Sequence, residues 1–193
     1  MTLLLAPIQF FNDVVLRLGR GIAIVAIALM VLAILVQVFF RYVLNSALPW
    51  PDEAARFAML WMTGLIAPTA YRRGGFVAID MLARALPERL GAVLSLMLLL
   101  IAGLVLAVAI PIGWGEVTGF GGHFATASLY VPLAADFSEF LRVPRSWMMA
   151  SFLVGLILLF IVNIELVLRS LITLTGGGSG LKDLAPTDDL MVE

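Results

Sequence analysis

A chain of 193 residues in which 62% are hydrophobic and 13% charged, with a mean hydropathy of +1.08, is not an ordinary soluble domain, where about a quarter of residues carry charge. The net charge of −1 comes with no basic run or patch, so the sequence offers no nucleic-acid surface. There is no cysteine and His123 is the single histidine, which excludes disulfides, thiolate metal centres, iron–sulfur clusters and a haem held by two histidines of this chain.

Residues 2–16 are apolar but interrupted by Pro7 and by Asn12-Asp13, without the basic start and small-residue cleavage site of a secretory signal. They read as an uncleaved, interfacial lead-in. Arg17 and Arg20 flank residues 21–40, where Gln37 is the one strongly polar side chain. This run has the roughly 20 residues that a helix needs to cross a bilayer core.

Asn45-Ser46 and Pro49-Trp50-Pro51 carry turn chemistry, since proline fixes φ and removes a donor. Asp52 and Glu53 follow at a helix start, where negative charge complements the N-terminal dipole. The second span is expected over 54–71, with Arg56 snorkelling outward from its first turn and Pro68 near its far end. Arg72-Arg73-Gly74-Gly75 closes it with positive charge and a glycine stop.

Residues 76–89 have the pattern of an amphipathic helix lying in the interface plane. Phe76, Ile79 and Leu86 share one face, while Asp80, Arg84 and Glu88 recur at i,i+4 on another. An uncharged third span follows over 90–113. Residues 116–145 are glycine-rich, then mildly apolar, then charged, and read as a loop with one interfacial helix. The fourth span covers 146–165. Glycines in 176–180 make residues 176–193 a flexible tail by composition. The expected fold is an all-α integral membrane protein, with four transmembrane helices plus interfacial amphipathic helices in one membrane domain, 1–175.

Basic residues set the orientation. With the N-terminus inside, the inner side holds eight (Arg17, Arg20, Arg72, Arg73, Arg84, Arg89, Arg169 and Lys182) and the outer side four (Arg41, Arg56, Arg142 and Arg145). That asymmetry predicts cytoplasmic termini, and it puts Trp50, Trp114 and Trp147 together at the outer interface.

Catalytic chemistry is not legible. His123 has no second histidine, its nearest upstream carboxylate is Glu116 in a glycine-rich stretch, and it reads as a solvated or interfacial imidazole. Gly-Phe-Gly-Gly at 119–122 follows no strand and opens no phosphate-binding helix. Ser128 and Ser138 lack a base. What remains is charge at span ends: Arg41, Asp52, Glu53 and Arg56 belong to one side and form either a rim of ion pairs or independent, hydrated flanks.

The order of elements from Arg41 to Asp80 is more informative than any one of them. Arg41-Tyr42-x-x-Asn45-x-x-x-Pro49-Trp50, the acidic pair ending in Glu53, Ala55-Arg56, a span containing Trp61, Arg72-Arg73-Gly74 and Asp80-Met81-Leu82 resemble the small membrane subunit (DctQ-like) of tripartite ATP-independent periplasmic (TRAP) transporters. Phe76 stands where that family commonly has His. The resemblance makes Arg41, Tyr42, Asn45, Trp50, Glu53, Arg56, Trp61, Arg72, Arg73 and Asp80 the candidate motif or subunit-interface residues. It implies a multi-pass protein of the bacterial inner membrane that scaffolds a large (DctM-like) membrane subunit and works with a periplasmic substrate-binding protein. It further implies uptake of an organic acid, no cofactor in this chain, and sodium coupling in the large subunit. The competing readings are a self-sufficient four-helix transporter or channel acting as a homo-oligomer, and a redox-enzyme anchor. The first needs polar groups along a pathway through the spans, and the second is disfavoured by the lone His123.

Overall fold

The computed structural model describes residues 2–74, 88–132 and 140–175. Four helices carry the structure: α1 (Thr2–Tyr42), α2 (Trp50–Arg72), α3 (Glu88–Thr118) and α4 (Arg145–Leu174). A short 3₁₀ turn (Phe120–His123) and the strands β1 (Ala125–Pro132) and β2 (Phe140–Pro144) lie between α3 and α4. Each of the four expected spans falls inside a helix. Three helices are long and apolar enough to cross a membrane, over Leu5–Tyr42, Leu90–Thr118 and Arg145–Leu174. The fold is that of an all-α membrane protein.

Helix directions follow from close contacts. Asp13 of α1 meets Arg72 of α2, and Gly19 lies against Leu65, so α1 and α2 are antiparallel. Gly64 of α2 lies against Ser151 and Gly155 of α4 while Arg72 meets Glu165, so these two run parallel. Asn163 of α4 reaches Leu99 of α3, and Leu153 lies by Gly113, which makes that pair antiparallel. The lateral order is therefore α1, α2, α4, α3. α2, the least apolar helix, is wedged between two others, and this covers its buried Pro51, Ala55, Leu65, Pro68 and Thr69. α3 packs mainly on α4 and leaves Leu90, Met97, Leu104 and Ile112 exposed for lipid or a partner.

One crossing depends on glycine. A Cβ on Gly64 would lie 2.3 Å from the Ser151 carbonyl oxygen, and one on Gly155 would meet the Gly64 backbone at 3.0 Å. Pro68 deprives the Gly64 carbonyl of its helical donor, and that carbonyl faces Gly155. Small residues thus let two backbones close at a proline-loosened turn.

Two expectations need correction. The segment before the first span is not a separate interfacial lead-in: α1 is continuous from Thr2, because Pro7 falls in its opening turns, where the missing N–H costs at most one ladder bond. Between α3 and α4 the described residues form an antiparallel hairpin in place of an interfacial helix, with Tyr130 opposite Arg142 and Val131 opposite Leu141. β-branched and aromatic residues on both strands suit a pleated surface better than a helix. The amphipathic helix expected over 76–89 and the tail over 176–193 lie outside the described residues, apart from the backbone of the last two positions of the former, which open α3.

Candidate functional site

Two polar brackets and a clasp stand out against the apolar body. The first bracket joins α1, α2 and α4. Arg72, whose side chain is 10% exposed, donates from Nε to Glu165 Oε2 at 2.9 Å and from Nη2 to Oε1 at 2.8 Å, a bidentate fork on a carboxylate that is fully buried. Its Nη1 donates to Asp13 of α1. Asn12 adds a hydrogen bond from Nδ2 to Glu165 Oε2 at 2.6 Å, and Arg169, one turn along α4, reaches Oε1 at 3.2 Å. Two carboxylates thus face two guanidinium groups, so the bracket is neutral as a unit. A buried carboxylate is tolerable only when its lone pairs are filled in this way.

The second bracket lies just inside the first and joins α2, α4 and α3. The Tyr71 hydroxyl donates to Asn163 Oδ1 at 2.5 Å, and Asn163 Nδ2 donates to the Leu99 carbonyl at 3.2 Å. Gly103 leaves room for that amide, since a Cβ there would lie 2.6 Å from Asn163 Nδ2. Successive residues of α2, Tyr71 and Arg72, therefore tie all four helices together near one end.

The clasp is at the opposite end. Glu53, in the first turn of α2, accepts hydrogen bonds from the backbone N–H of Ala127 at 2.9 Å and from that of Ser128. The Ser128 hydroxyl lies 2.7 Å from Glu53 Oε2 and 2.9 Å from the Pro49 carbonyl. These contacts fall in the irregular part of β1, between the Ala125 and Tyr130 pairings, where the ladder to β2 is interrupted. A bulge frees backbone groups that must find other partners. Glu53 takes the N–H groups, and Arg142 donates to the freed Ala127 carbonyl at 2.8 Å. Burial raises the Glu53 pKa, but hydrogen bonds from Ser128 and from the backbone of Ala127 and Leu129 outweigh it and hold the carboxyl below its usual range.

The candidate residues separate accordingly. Arg72 is the hinge of the first bracket and Glu53 the anchor of the clasp. Arg41 stacks over the Tyr42 ring, with 5.8 Å to its centroid, and both are exposed. Asn45 adopts a left-handed conformation (φ 49°) in the turn after α1, which short polar side chains tolerate. Trp50 opens α2 and is exposed. Arg56 and Arg73 are exposed, and no ion pair joins Arg41, Asp52, Glu53 and Arg56 among the described residues. The rim is thus a set of separate flanks with Glu53 turned to the hairpin. The Trp61 indole N–H is buried without a hydrogen-bond partner among the described residues. Asp80 lies outside the described residues. His123 is exposed at the end of the 3₁₀ turn, and no group of His, Asp or Glu suited to a metal ion occurs among the described residues.

Asn12, Asp13, Tyr71, Asn163 and Glu165 escaped the sequence reading as a site. Asn12-Asp13 registers there only as a break in an apolar run. Glu165 and Arg169 at i,i+4 are the one local hint of the first bracket.

A family model described as "Tripartite ATP-independent periplasmic transporters, DctQ component" matches residues 30–173. This chain belongs to the DctQ family. The match takes in α2, α3, the hairpin and nearly all of α4, with only the first part of α1 and the tail outside it. As a DctQ component it is part of a TRAP transporter. Most of both brackets and all of the clasp fall within the matched region, while Asn12 and Asp13 precede it. Comparison with curated proteins gives no match.

Proposed function

We propose that this DctQ protein is the non-catalytic scaffold subunit of its TRAP transporter. The observation that carries this reading is the use made of polar groups inside the bundle. The bracket charges of Arg72, Glu165, Asp13 and Arg169 and the amide of Asn163 are taken up in bonds between helices of the same chain. A carrier needs oxygen ligands and substrate contacts left open near the bilayer midplane, commonly at broken helices. Here α3 and α4 run unbroken between turns near their ends, and their large exposed side chains are apolar.

On this reading the chain holds no cofactor and catalyses no reaction. A large DctM-like subunit carries the substrate and sodium sites, and a periplasmic binding protein delivers an organic acid. The chain sits in the bacterial inner membrane and crosses it four times, with both termini cytoplasmic. The bracket end then faces the cytoplasm, and the hairpin with Trp50, Trp114 and Trp147 faces the periplasm. Lipid and the large subunit share the apolar faces of α1 and α3.

The test is reconstitution. The chain alone in liposomes should take up no organic acid under a sodium gradient, and should co-purify with its large subunit when the two are expressed together. Sodium-driven uptake by the isolated chain would sink the scaffold reading and restore the self-sufficient transporter.

A further inference from the structure

Between α2, α3 and α4 lies a cavity of about 530 Å³ lined by Leu98, Leu99, Ala102, Val105, Leu106 and Leu159, with Tyr71, Arg72, Gly74 and Ser95 at one end. Its wall along α3 runs from Ser95 to Leu106, about 16 Å of helix at 1.5 Å per residue. That is close to half of a roughly 30 Å hydrocarbon core. The groove is therefore about as long as one leaflet is thick.

Its polar end has unused donors. A guanidinium offers five N–H groups, and Arg72 commits three, two to Glu165 and one to Asp13. The Ser95 hydroxyl makes no hydrogen bond among the described residues, and exposed Arg73 adjoins Arg72. The bracket neutralises Arg72, so what it presents to the groove is directional hydrogen bonding, while Arg73 adds net positive charge beside it.

We propose that this groove is a binding site for one glycerophospholipid, with an acyl chain along α3 and the phosphate–ester region at Arg72, Arg73 and Ser95. Dimensions favour a lipid over a partner's helix. A transmembrane helix is about 10 Å across and continues through both leaflets, whereas the groove ends after one. The leaflet is the inner one in the orientation proposed above, but the site itself does not depend on the scaffold reading. A lipid here would hold α3 against α2, a pair the lateral order otherwise leaves apart.

The full chain in nanodiscs, alone and co-expressed with its large subunit, tests this with phosphatidylglycerol carrying a diazirine in one acyl chain. Labelling mapped by mass spectrometry should concentrate at Leu98, Ala102 and Leu106 over the outward-facing Leu104 and Ile112. Ala102→Trp should abolish that preference, and Leu104→Trp should leave it intact. Unlabelled phosphatidylglycerol should compete roughly tenfold better than a diacylglycerol with the same chains, a difference of about 1.4 kcal/mol, and Arg73→Gln with Ser95→Ala should erase that margin. Inorganic phosphate should not compete. Equal labelling of groove and outward positions would overturn the proposal, as would labelling unchanged by Ala102→Trp. Labelling lost whenever the large subunit is present would assign the groove to that subunit. Labelling displaced by phosphate alone would reduce the site to an anion contact.

Discussion

Replacing Arg72 by Met tests whether the first bracket holds the bundle together. Arg72→Met removes three hydrogen bonds and leaves Glu165, fully buried, with only Asn12 and Arg169. Breaking a buried ion pair by removing one partner costs about 3–5 kcal/mol, most of it from stranding the remaining charge. Arg169 stays 3.2 Å from Oε1, which places the loss at the lower end, near 3 kcal/mol. The Asp13 contact adds little, because Asp13 is 43% exposed and solvent screens it to under about 1 kcal/mol. Arg72→Met with Glu165→Met removes both charges and fills the space with apolar atoms, so the pair should cost much less than the sum of the single changes. A coupling of about 2 kcal/mol or more is expected between contacting members of one network. Reversible SDS titration of the purified chain in mixed micelles, followed by circular dichroism, gives all four free energies. Additive effects, each below about 1 kcal/mol, would show that the bracket is hydrated and that the four helices stand without it.

Glu53→Gln should weaken the clasp and leave the brackets intact, raising amide exchange at Ala127 and Ser128 by about tenfold or more, as expected for hydrogen bonds to a charged group worth about 1.5–3 kcal/mol. Because the Glu53 pKa is lowered in the folded chain, its contribution is complete above the usual value of 4.5 and disappears as pH falls through the lower folded value. Protection at the two amides, corrected for intrinsic exchange, should thus be flat from neutral pH to about 5 and decline below 4; decline beginning near neutrality would point to another group. Gly64→Ala should destabilise the bundle by about 1–3 kcal/mol by forcing α2 from Ser151, whereas Gly21→Ala, with no neighbour within 4 Å, should be neutral or gain about 0.5–1 kcal/mol; equal effects would refute the tight crossing. Since the chain has no cysteine, Ser46→Cys and Gly121→Cys should react with an impermeant thiol reagent from the periplasm and Thr175→Cys should not. Labelling of position 175 from outside would overturn the proposed orientation.

Hydropathy made the helices legible because a bilayer imposes one simple demand, a long apolar run. It is blind to what those runs do with isolated polar residues. Arg72 and Glu165 lie 93 positions apart, and nothing local in either neighbourhood names the other. Arg72 reads from sequence as a positive flank, and its role as a buried fork appears only once α2 and α4 are seen to run parallel. Glu53 shows the same limit, since flanking charges suggest pairing with Arg41 or Arg56, while its partners are the Ser128 hydroxyl and backbone N–H groups some 75 positions away. The hairpin was obscured by short strands in mixed composition, with Glu53 substituting for part of the ladder. The motif order from Arg41 onward did point to the family, because relative spacing along one chain survives where pairwise contacts cannot be read.

The lateral order α1, α2, α4, α3 differs from the order in which a ribosome delivers the helices. α2 emerges directly after α1, its antiparallel neighbour, and Arg72 can meet Asp13 at once, although the larger share of its bonding must wait for Glu165. α3 emerges before α4, the helix it mainly packs against, and must reside in lipid alone until α4 is made. Their compositions match those histories. α3 is the most apolar of the four along its length, and its most apolar stretch is not buried by the other helices, so it partitions without help. α2, the least apolar of the four, is made directly after its neighbour α1. Of these two helices, the one made before its main partner is the more hydrophobic.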